Sequence, residues 1–238
     1  MATNEKFNGS FDTIINNDEL LRGIYSYGFE KPSNIQSRSI PIIQSGKDIL
    51  AQSQSGTGKT GAFSIGCLSN IEQNNKLQHL IIAPTHELAM QIKEVITSLS
   101  KYMNIRIELI IGKTTILDSI ESLNNNPNIV IGTPGRILDM INRKHLFTSD
   151  LRSLILDEAD EILSFGFIDA IYNIIRYLPT ECQVCLFSAT IPSEIITMSN
   201  KFLDNPEHIL IKKEDVSLQG IKQFFINVAN YDWKLDTI

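Results

Sequence analysis

Short apolar runs rich in isoleucine, valine and leucine recur along this chain, and longer amphipathic stretches separate them. The amphipathic stretches, such as 87–100 and 168–178, carry apolar residues at helical spacing, so strands and helices are predicted to alternate. Strands that are apolar on both faces need helices on both faces, which favours an α/β fold with a parallel sheet. The predicted strands are 48–51, 79–83, 106–111, 128–132, 154–156, 184–188 and 208–211.

Two local features qualify this pattern. The segment 33–45 predicts a helix, but Pro41 in its interior should kink or restart it, because the ring removes a donor and crowds the preceding turn. Towards the C-terminus a strand-like segment, 221–228, is followed by an amphipathic pattern over 233–238 that has no cap. We therefore expect a flexible tail over 1–10, one α/β domain over 11–214, and over 215–238 a linker with the start of a second domain.

The net charge excludes one class of nucleic-acid-binding protein. Acidic residues outnumber basic ones by 27 to 21 and give a net charge of −6, so the chain has no general basic coat. Any nucleic-acid binding must rely on a few placed groups. No apolar run approaches the roughly 20 residues of a membrane span, and the N-terminus does not resemble a secretory signal, so we expect an intracellular protein without membrane contact.

The three cysteines predict no disulfide framework and indicate a reducing compartment. Cys182 and Cys185 form a C-x-x-C pair, but no second Cys or His pair stands nearby to complete a zinc site. Because alternation along a strand would send their sulfurs to opposite faces, we interpret both as thiols of the core or the strand edge.

The segment from Ser53 to Thr60 reads Ser-Gln-Ser-Gly-Thr-Gly-Lys-Thr, between a predicted strand and a predicted helix, as a phosphate-binding loop requires. Glycines let backbone amides face the phosphates, Lys59 reaches the β and γ phosphates, and Thr60 offers a hydroxyl to magnesium. Serine replaces the usual first glycine. The residues predicted to bind the nucleotide here are Gln54, Ser55, Gly56, Thr57, Gly58, Lys59, Thr60 and Gly61.

The predicted strand 154–156 ends in two carboxylates, Asp157 and Glu158. Ligands of open α/β sheets bind at the carboxyl ends of the strands, so both acids should lie beside the phosphate loop. Asp157 would hold magnesium directly or through water, and Glu158 would orient or deprotonate the attacking water. A charge cluster at a helix N-terminus is the alternative.

Gly-Thr-Gly-Lys-Thr and Asp-Glu-Ala-Asp together resemble the motifs of the DEAD-box RNA helicases, and further matches cover nearly the whole chain. The segment 28–36 resembles the family's Q motif, with Phe11 as its upstream aromatic. The segments 84–89, 133–136 and 188–190 resemble motifs Ia, Ib and III. Within the family, 20–33 and 220–228 look most like the eukaryotic translation initiation factor 4A group, including its exon-junction relative. The resemblance implies a RecA-like P-loop domain.

The resemblance implies that Gln36 selects ATP, since an amide can both donate to and accept from the adenine edge. Phe29 would stack on the base and Lys31 would assist; a core role for Phe29 and a solvated Gln36 are the alternatives. Ser188 and Thr190 should bond the acidic residues and link hydrolysis to RNA handling, or else act only as a helix N-cap.

For RNA, the resemblance implies a sequence-independent grip on the sugar-phosphate backbone of a single strand by hydroxyls, helix N-termini and one guanidinium. The chain departs from the family at His86, where arginine is usual, and at Lys113, where glycine is usual. We expect the histidine to weaken RNA binding and make it pH-dependent, while Lys113 either restores charge or obstructs the RNA path. The predicted RNA-binding residues are Pro84, Thr85, His86, Gly112, Thr133, Pro134, Gly135 and Arg136.

The implied function is that of the N-terminal half of a monomeric ATP-dependent RNA helicase with ATP and magnesium as cofactors. A second RecA-like domain would contribute arginines, so the chain alone should be nearly inactive; initiation-factor or exon-junction-type proteins are possible partners. Two alternatives stay open: an ATP-locked RNA clamp that nucleates a protein–RNA assembly, and a P-loop ATPase acting on DNA or protein.

Overall fold

The computed structural model describes residues 9–210, and within them the predicted α/β alternation is confirmed. A short 3-10 helix, Phe11–Thr13, precedes the regular elements. The strands are β1 (Ile49–Gln52), β2 (His79–Ile82), β3 (Ile107–Ile110), β4 (Ile129–Gly132), β5 (Ser153–Leu156), β6 (Gln183–Ser188) and β7 (Glu207–Ile209). The α-helices are α1 (Asp18–Tyr27), α2 (Asn34–Ser45), α3 (Lys59–Ser69), α4 (His86–Leu99), α5 (Ile116–Asn124), α6 (Pro134–Asn142), α7 (Ala159–Ser164), α8 (Ile168–Ile175) and α9 (Ser193–Phe202).

All seven strands form one parallel sheet in the order β3-β4-β2-β5-β6-β1-β7. Helices α1 to α4 pack on one face and α5 to α9 on the other, and each face has its own apolar cluster. In β5, Leu154 and Leu156 enter one cluster and Ile155 the other, as period-two alternation requires. The carboxyl end of β1 therefore lies beside that of β6, with β5 next along the sheet.

Helix α2 corrects one prediction. It runs without interruption from Asn34 to Ser45 through Pro41, so the helix is not restarted there. Pro41 lies on the exposed side of the helix, whereas Ile40 and Ile43 are buried in the core. A capping box between Ser33 and Gln36 fixes the first turn. Apolar burial and the cap outweigh the hydrogen bond that proline cannot make.

The cysteine prediction is confirmed: all three thiols are free and buried. Cys182 and Cys185 belong to the apolar clusters on opposite faces of the sheet, and burial raises the pKa of Cys182 to about 12. No helix within residues 9–210 is long and apolar enough to cross a membrane. Apart from residues 9 and 10, the predicted tail lies outside the described residues, as do the linker and second-domain start over 215–238.

Candidate nucleotide and RNA site

The loop between β1 and α3 has the backbone shape of a phosphate cradle. Gly56 and Gly58 have φ values of 78° and 99°, a left-handed conformation that glycine adopts without steric cost. The Thr57 hydroxyl donates to the Gln54 carbonyl oxygen at 2.7 Å and is also hydrogen-bonded to the Ser53 hydroxyl. Serine at the usual first glycine position therefore helps to fix the loop. Ser55 is exposed at its tip.

Lys59 and Glu158 meet at the mouth of this loop, as the sequence predicted for the phosphate loop and the end of β5. The Lys59 ammonium lies 3.0 Å from Glu158 Oε1 and 3.2 Å from Oε2. The Lys59 side chain is 5% exposed and that of Glu158 18%. Glu158 adopts a left-handed φ of 48°, an uncommon conformation for a residue with a side chain. Lys59, the residue predicted to reach the phosphates, is thus held by Glu158 in this structure.

Asp157 is a buried acid, and the positive charge of Lys59 offsets only part of the cost of ionising it. Burial, with a further contribution from the adjacent Glu158, raises its pKa to about 7 despite the opposing effect of Lys59. A buried carboxyl of this kind fits a divalent cation, which would supply the missing positive charge. Thr60 is half-buried in the first turn of α3. One carboxylate plus a hydroxyl matches magnesium, which takes its remaining ligands from phosphates and water.

Asp160, in the first turn of α7 after β5, is hydrogen-bonded to Ser188 and Thr190 at the end of β6. Its carboxylate accepts hydrogen bonds from the backbone N–H of Thr190, at 3.1 Å, and from the Thr190 hydroxyl. The Ser188 hydroxyl accepts from the Asp160 N–H at 3.4 Å and donates to the Thr190 carbonyl oxygen at 2.7 Å. Burial alone would raise the pKa of Asp160, but the hydrogen bonds outweigh it and lower the pKa. The expected contact with an acidic residue is present, and α9 begins only at Ser193, so neither hydroxyl caps that helix.

Gln36 is buried, so a solvated side chain is the wrong alternative. Its Oε1 accepts from the Ser33 N–H at 2.9 Å and its Nε2 donates to the Gly58 carbonyl oxygen at 3.3 Å. The Q motif thus contacts the phosphate loop directly. A Cβ added to Gly61 would lie 2.7 Å from Gln36 Nε2 and 3.0 Å from the Phe29 ring, so the absence of a side chain at Gly61 permits this close approach.

Phe29 lies in an aromatic group at the same end of α3. Its ring stacks on that of Phe11 at 6.3 Å between centroids and meets Tyr27 edge-on at 4.9 Å. The ring is only half-buried, so its burial does not distinguish a core aromatic from a ring that stacks on the base. Lys31 is exposed nearby in the chain. Stacking of the base on Phe29 and assistance by Lys31 stay predictions.

The predicted RNA-binding segments lie on loops that follow β2, β3 and β4, at the same edge of the sheet. Thr85 caps α4, and its hydroxyl accepts from the Leu88 N–H at 3.2 Å. Thr133 precedes α6 and is buried, as are Pro84 and Pro134, whereas Gly135 is exposed. The structure therefore brings two helix N-termini together here, and their contact with RNA stays a prediction.

The Arg136 guanidinium, predicted to contact RNA, is hydrogen-bonded to the loop between β3 and α5. It donates to the carbonyl oxygens of Gly112, Thr114 and Thr115 and to the Ser119 hydroxyl, at distances from 2.8 to 3.3 Å. These bonds hold the loop between β3 and α5 in place. The predicted phosphate contact would have to compete with them.

The two departures from the family pattern lie on segments that contact each other, the start of α4 and the loop after β3. A Cβ added to Gly112 would lie 3.3 Å from His86 Nε2, so the histidine ring rests against that glycine. One residue further on each segment, the Lys113 ammonium lies 2.8 Å from Glu87 Oε1.

Sequence reasoning assigned no role to Asp160, Glu87 or Ser53. Asp160 follows Asp157 at helical spacing and stands two residues after Glu158, which is a signal that could have been used. The partners of Glu87 and Ser53 come from loop geometry, which no local pattern predicts.

Known proteins resemble this chain in sequence and in fold. A family profile described as DEAD/DEAH box helicase matches residues 33–198. "ATP-dependent RNA helicase eIF4A" of Botryotinia fuckeliana is 49% identical over 230 residues, and that of Lodderomyces elongisporus is 50% identical over 229. Each alignment covers 96% of this chain and 58% of the relative. The chain thus spans a little over half the length of the curated relatives that it matches.

Solved structures with the same fold include a DEAD box protein from Methanococcus jannaschii, with a TM-score of 0.81 and 39% identity over 84% of this chain and 55% of that one. Saccharomyces cerevisiae Dbp5 bound to RNA and ADP BeF3 has a TM-score of 0.82 and 35% identity, covering 90% of this chain and 55% of that one. Residues 33–198, which the family profile matches, contain the phosphate loop, the acidic end of β5 and the contact between Asp160 and Thr190. The chain belongs to the DEAD/DEAH box helicase family.

Proposed function

We propose that this chain is the N-terminal domain of an ATP-dependent RNA helicase. It binds Mg-ATP, holds single-stranded RNA by its sugar-phosphate backbone, and hydrolyses ATP when closed against a second RecA-like domain. The observation that carries the proposal is the contact of Lys59 with Glu158 beside Asp157, at the sheet edge where Asp160 is bonded to Thr190. This arrangement supports phosphoryl transfer to water.

Each residue has a role that follows from its contacts. Lys59 would exchange Glu158 for the β and γ phosphates, which frees the carboxylate of Glu158 to orient the attacking water. Thr60 and Asp157 would hold magnesium, which neutralises the charge that develops on the phosphates. Gln36 would contact adenine while it remains connected to the loop through Gly58.

We further infer that the protein acts inside the cell as a monomer, with single-stranded RNA and the second domain as partners. Initiation-factor or exon-junction-type proteins are the protein partners that we propose. The identity of about half the aligned residues to proteins named ATP-dependent RNA helicase eIF4A supports these inferences. An arginine supplied across a closed interface is worth roughly 10³–10⁵ in rate, so we expect the 238-residue chain alone to hydrolyse ATP at close to background.

Fluorescent ATP titration of the 238-residue chain tests the nucleotide site. We expect Mg-dependent binding that unlabelled ATP competes away and GTP does not, and we expect Lys59→Met to abolish it. Lys76→Met is the matched control, because Lys76 forms an exposed ion pair with Asp150 at the opposite edge of the sheet. Equal competition by GTP, or unchanged binding by Lys59→Met, would overturn the assignment. Brisk RNA-stimulated hydrolysis by this chain would contradict the need for a second domain.

A further inference from the structure

The segments that follow β1, β3 and β4 at the carboxyl edge of the sheet each carry a cation: Lys59 at the start of α3, Lys113 on the loop after β3, and Arg136 in the first turn of α6. Lys59 is buried against Glu158 in the nucleotide site. Arg136 is engaged with carbonyl oxygens of the loop that follows β3. Lys113 is different, because its ammonium lies on the surface and its side chain is 65% exposed. Of these three cations, Lys113 is therefore the one that a polyanion can reach.

The partner of Lys113 is easily exchanged. Glu87 lies 2.8 Å away, and its side chain is 66% exposed. Ion pairs between exposed side chains contribute little to stability, because water screens both charges and the pairing immobilises two long side chains. A phosphate oxygen, which accepts a charge-assisted hydrogen bond from lysine, can replace the carboxylate at small cost.

The base of Lys113 is fixed although its ammonium is exposed. Arg136 bonds the carbonyl oxygens on either side, those of Gly112 and Thr114. Thr115 caps the following helix in a capping box with Asp118. The lysine therefore projects from a rigid loop beside the N-terminus of α4, and only its own side chain has to be ordered on binding.

We propose that Lys113 is a phosphate-binding residue of the RNA surface, which exchanges its ion pair with Glu87 for a backbone phosphate of single-stranded RNA. This inference rests on the proposed function. It assigns to Lys113 a positive charge for RNA on the loop that the His86 ring touches. It also makes Glu87 a competitor of RNA for the same ammonium.

The test measures binding of a fluorescent ten-nucleotide oligouridine to the 238-residue chain by anisotropy, from about 20 to 200 mM salt. We expect Lys113→Gln to weaken binding about 3- to 10-fold at low salt. The slope of log K against log salt should fall in magnitude by about 0.7, the value for one phosphate contact on a single strand. Lys113→Arg, which keeps the charge, should retain both affinity and slope.

Two further variants make the result specific. Lys76→Gln removes one lysine from a similar exposed ion pair at the opposite edge of the sheet and should leave affinity and slope unchanged. Glu87→Gln removes the competitor and should tighten RNA binding up to about fivefold, the ratio that corresponds to a surface ion pair. Urea unfolding of each variant checks that the fold is intact.

The outcomes separate this inference from the proposed function. Absence of any oligouridine binding by the unmodified chain would overturn the proposed function and this inference with it. Binding that Lys113→Gln leaves unchanged, or strengthens because the lysine obstructs the RNA path, would overturn the inference alone. If Lys113→Gln and Lys76→Gln lose the same affinity, the loss reflects only the change in net charge, and the inference about Lys113 is overturned.

Discussion

Gly61→Ala tests whether the Q motif and the phosphate loop act as one unit. The added Cβ would lie 2.7 Å from Gln36 Nε2 and about as close, 3.0 Å, to the Phe29 ring. Gln36 cannot simply swing away, because its amide is held by the Ser33 N–H and the Gly58 carbonyl oxygen. Overpacking of this kind costs about 1–3 kcal/mol of folding free energy. Displacement of the amide should also reduce the preference for ATP over GTP about 3- to 10-fold, which corresponds to one or two neutral hydrogen bonds.

Urea unfolding measures the stability of Gly61→Ala, and competition of ATP and GTP against a fluorescent nucleotide measures its selectivity. Gly135→Ala is the matched control for stability, since a Cβ there meets no atom within 4 Å and Gly135 lies inside α6. Alanine is favoured over glycine in helices, so the control should be neutral or slightly stabilising. Unchanged stability together with unchanged selectivity in Gly61→Ala would refute the reasoning.

Three further predictions concern pH and the RNA-facing loops. Burial, with Arg152 nearby, lowers the pKa of His79 from 6.5 to about 3, so the unfolded chain binds a proton that the folded chain rejects. The associated stability is fully present above pH 6.5 and is lost as pH falls towards 3; at pH 5 the loss is about 2 kcal/mol. Urea unfolding at pH 7.5 and 5 should show this loss of stability in the unmodified chain but not in His79→Gln. The same pH dependence in both proteins would contradict the prediction. Arg136→Lys should cost about 1–3 kcal/mol and speed hydrogen exchange over 112–115, because lysine cannot make the forked contacts; unchanged exchange would count against it. His86→Arg should bind RNA more tightly than the unmodified chain, because arginine carries a permanent charge and can contact a phosphate with two donors; equal affinities would sink this idea.

The strands and the meeting of the phosphate loop with the acidic end of β5 could be predicted because their determinants are local. A buried parallel strand is a short apolar run, and the phosphate loop places Gly56, Gly58 and Lys59 at fixed spacing between a strand and a helix. The position of Asp157 and Glu158 beside Lys59 followed from a single topological rule about strand ends. Continuity of α2 through Pro41 did not follow, because it depends on which side of the helix the proline occupies.

Contacts between loops could not be predicted, because they depend on how distant segments approach. Arg136 was expected to face phosphate, yet the loop after β3 brings three carbonyl oxygens within reach of its guanidinium. Lys113 and Glu87 are 26 positions apart, and their pairing requires the N-terminus of α4 to lie over that same loop. The sequence left open whether Lys113 adds charge or obstructs RNA, and the ion pair with Glu87 makes the first alternative testable.

The most direct test of the account is an amide chemical-shift map of the chain with Mg-ATP and, separately, with oligouridine. Two neighbouring but distinct sets of residues should respond. Mg-ATP should shift 29–36, 53–61, 157–160 and 188–190, whereas oligouridine should shift 84–87, 112–115 and 133–136. The account is contradicted if neither ligand shifts these segments, or if both act at the opposite edge of the sheet around 149–153.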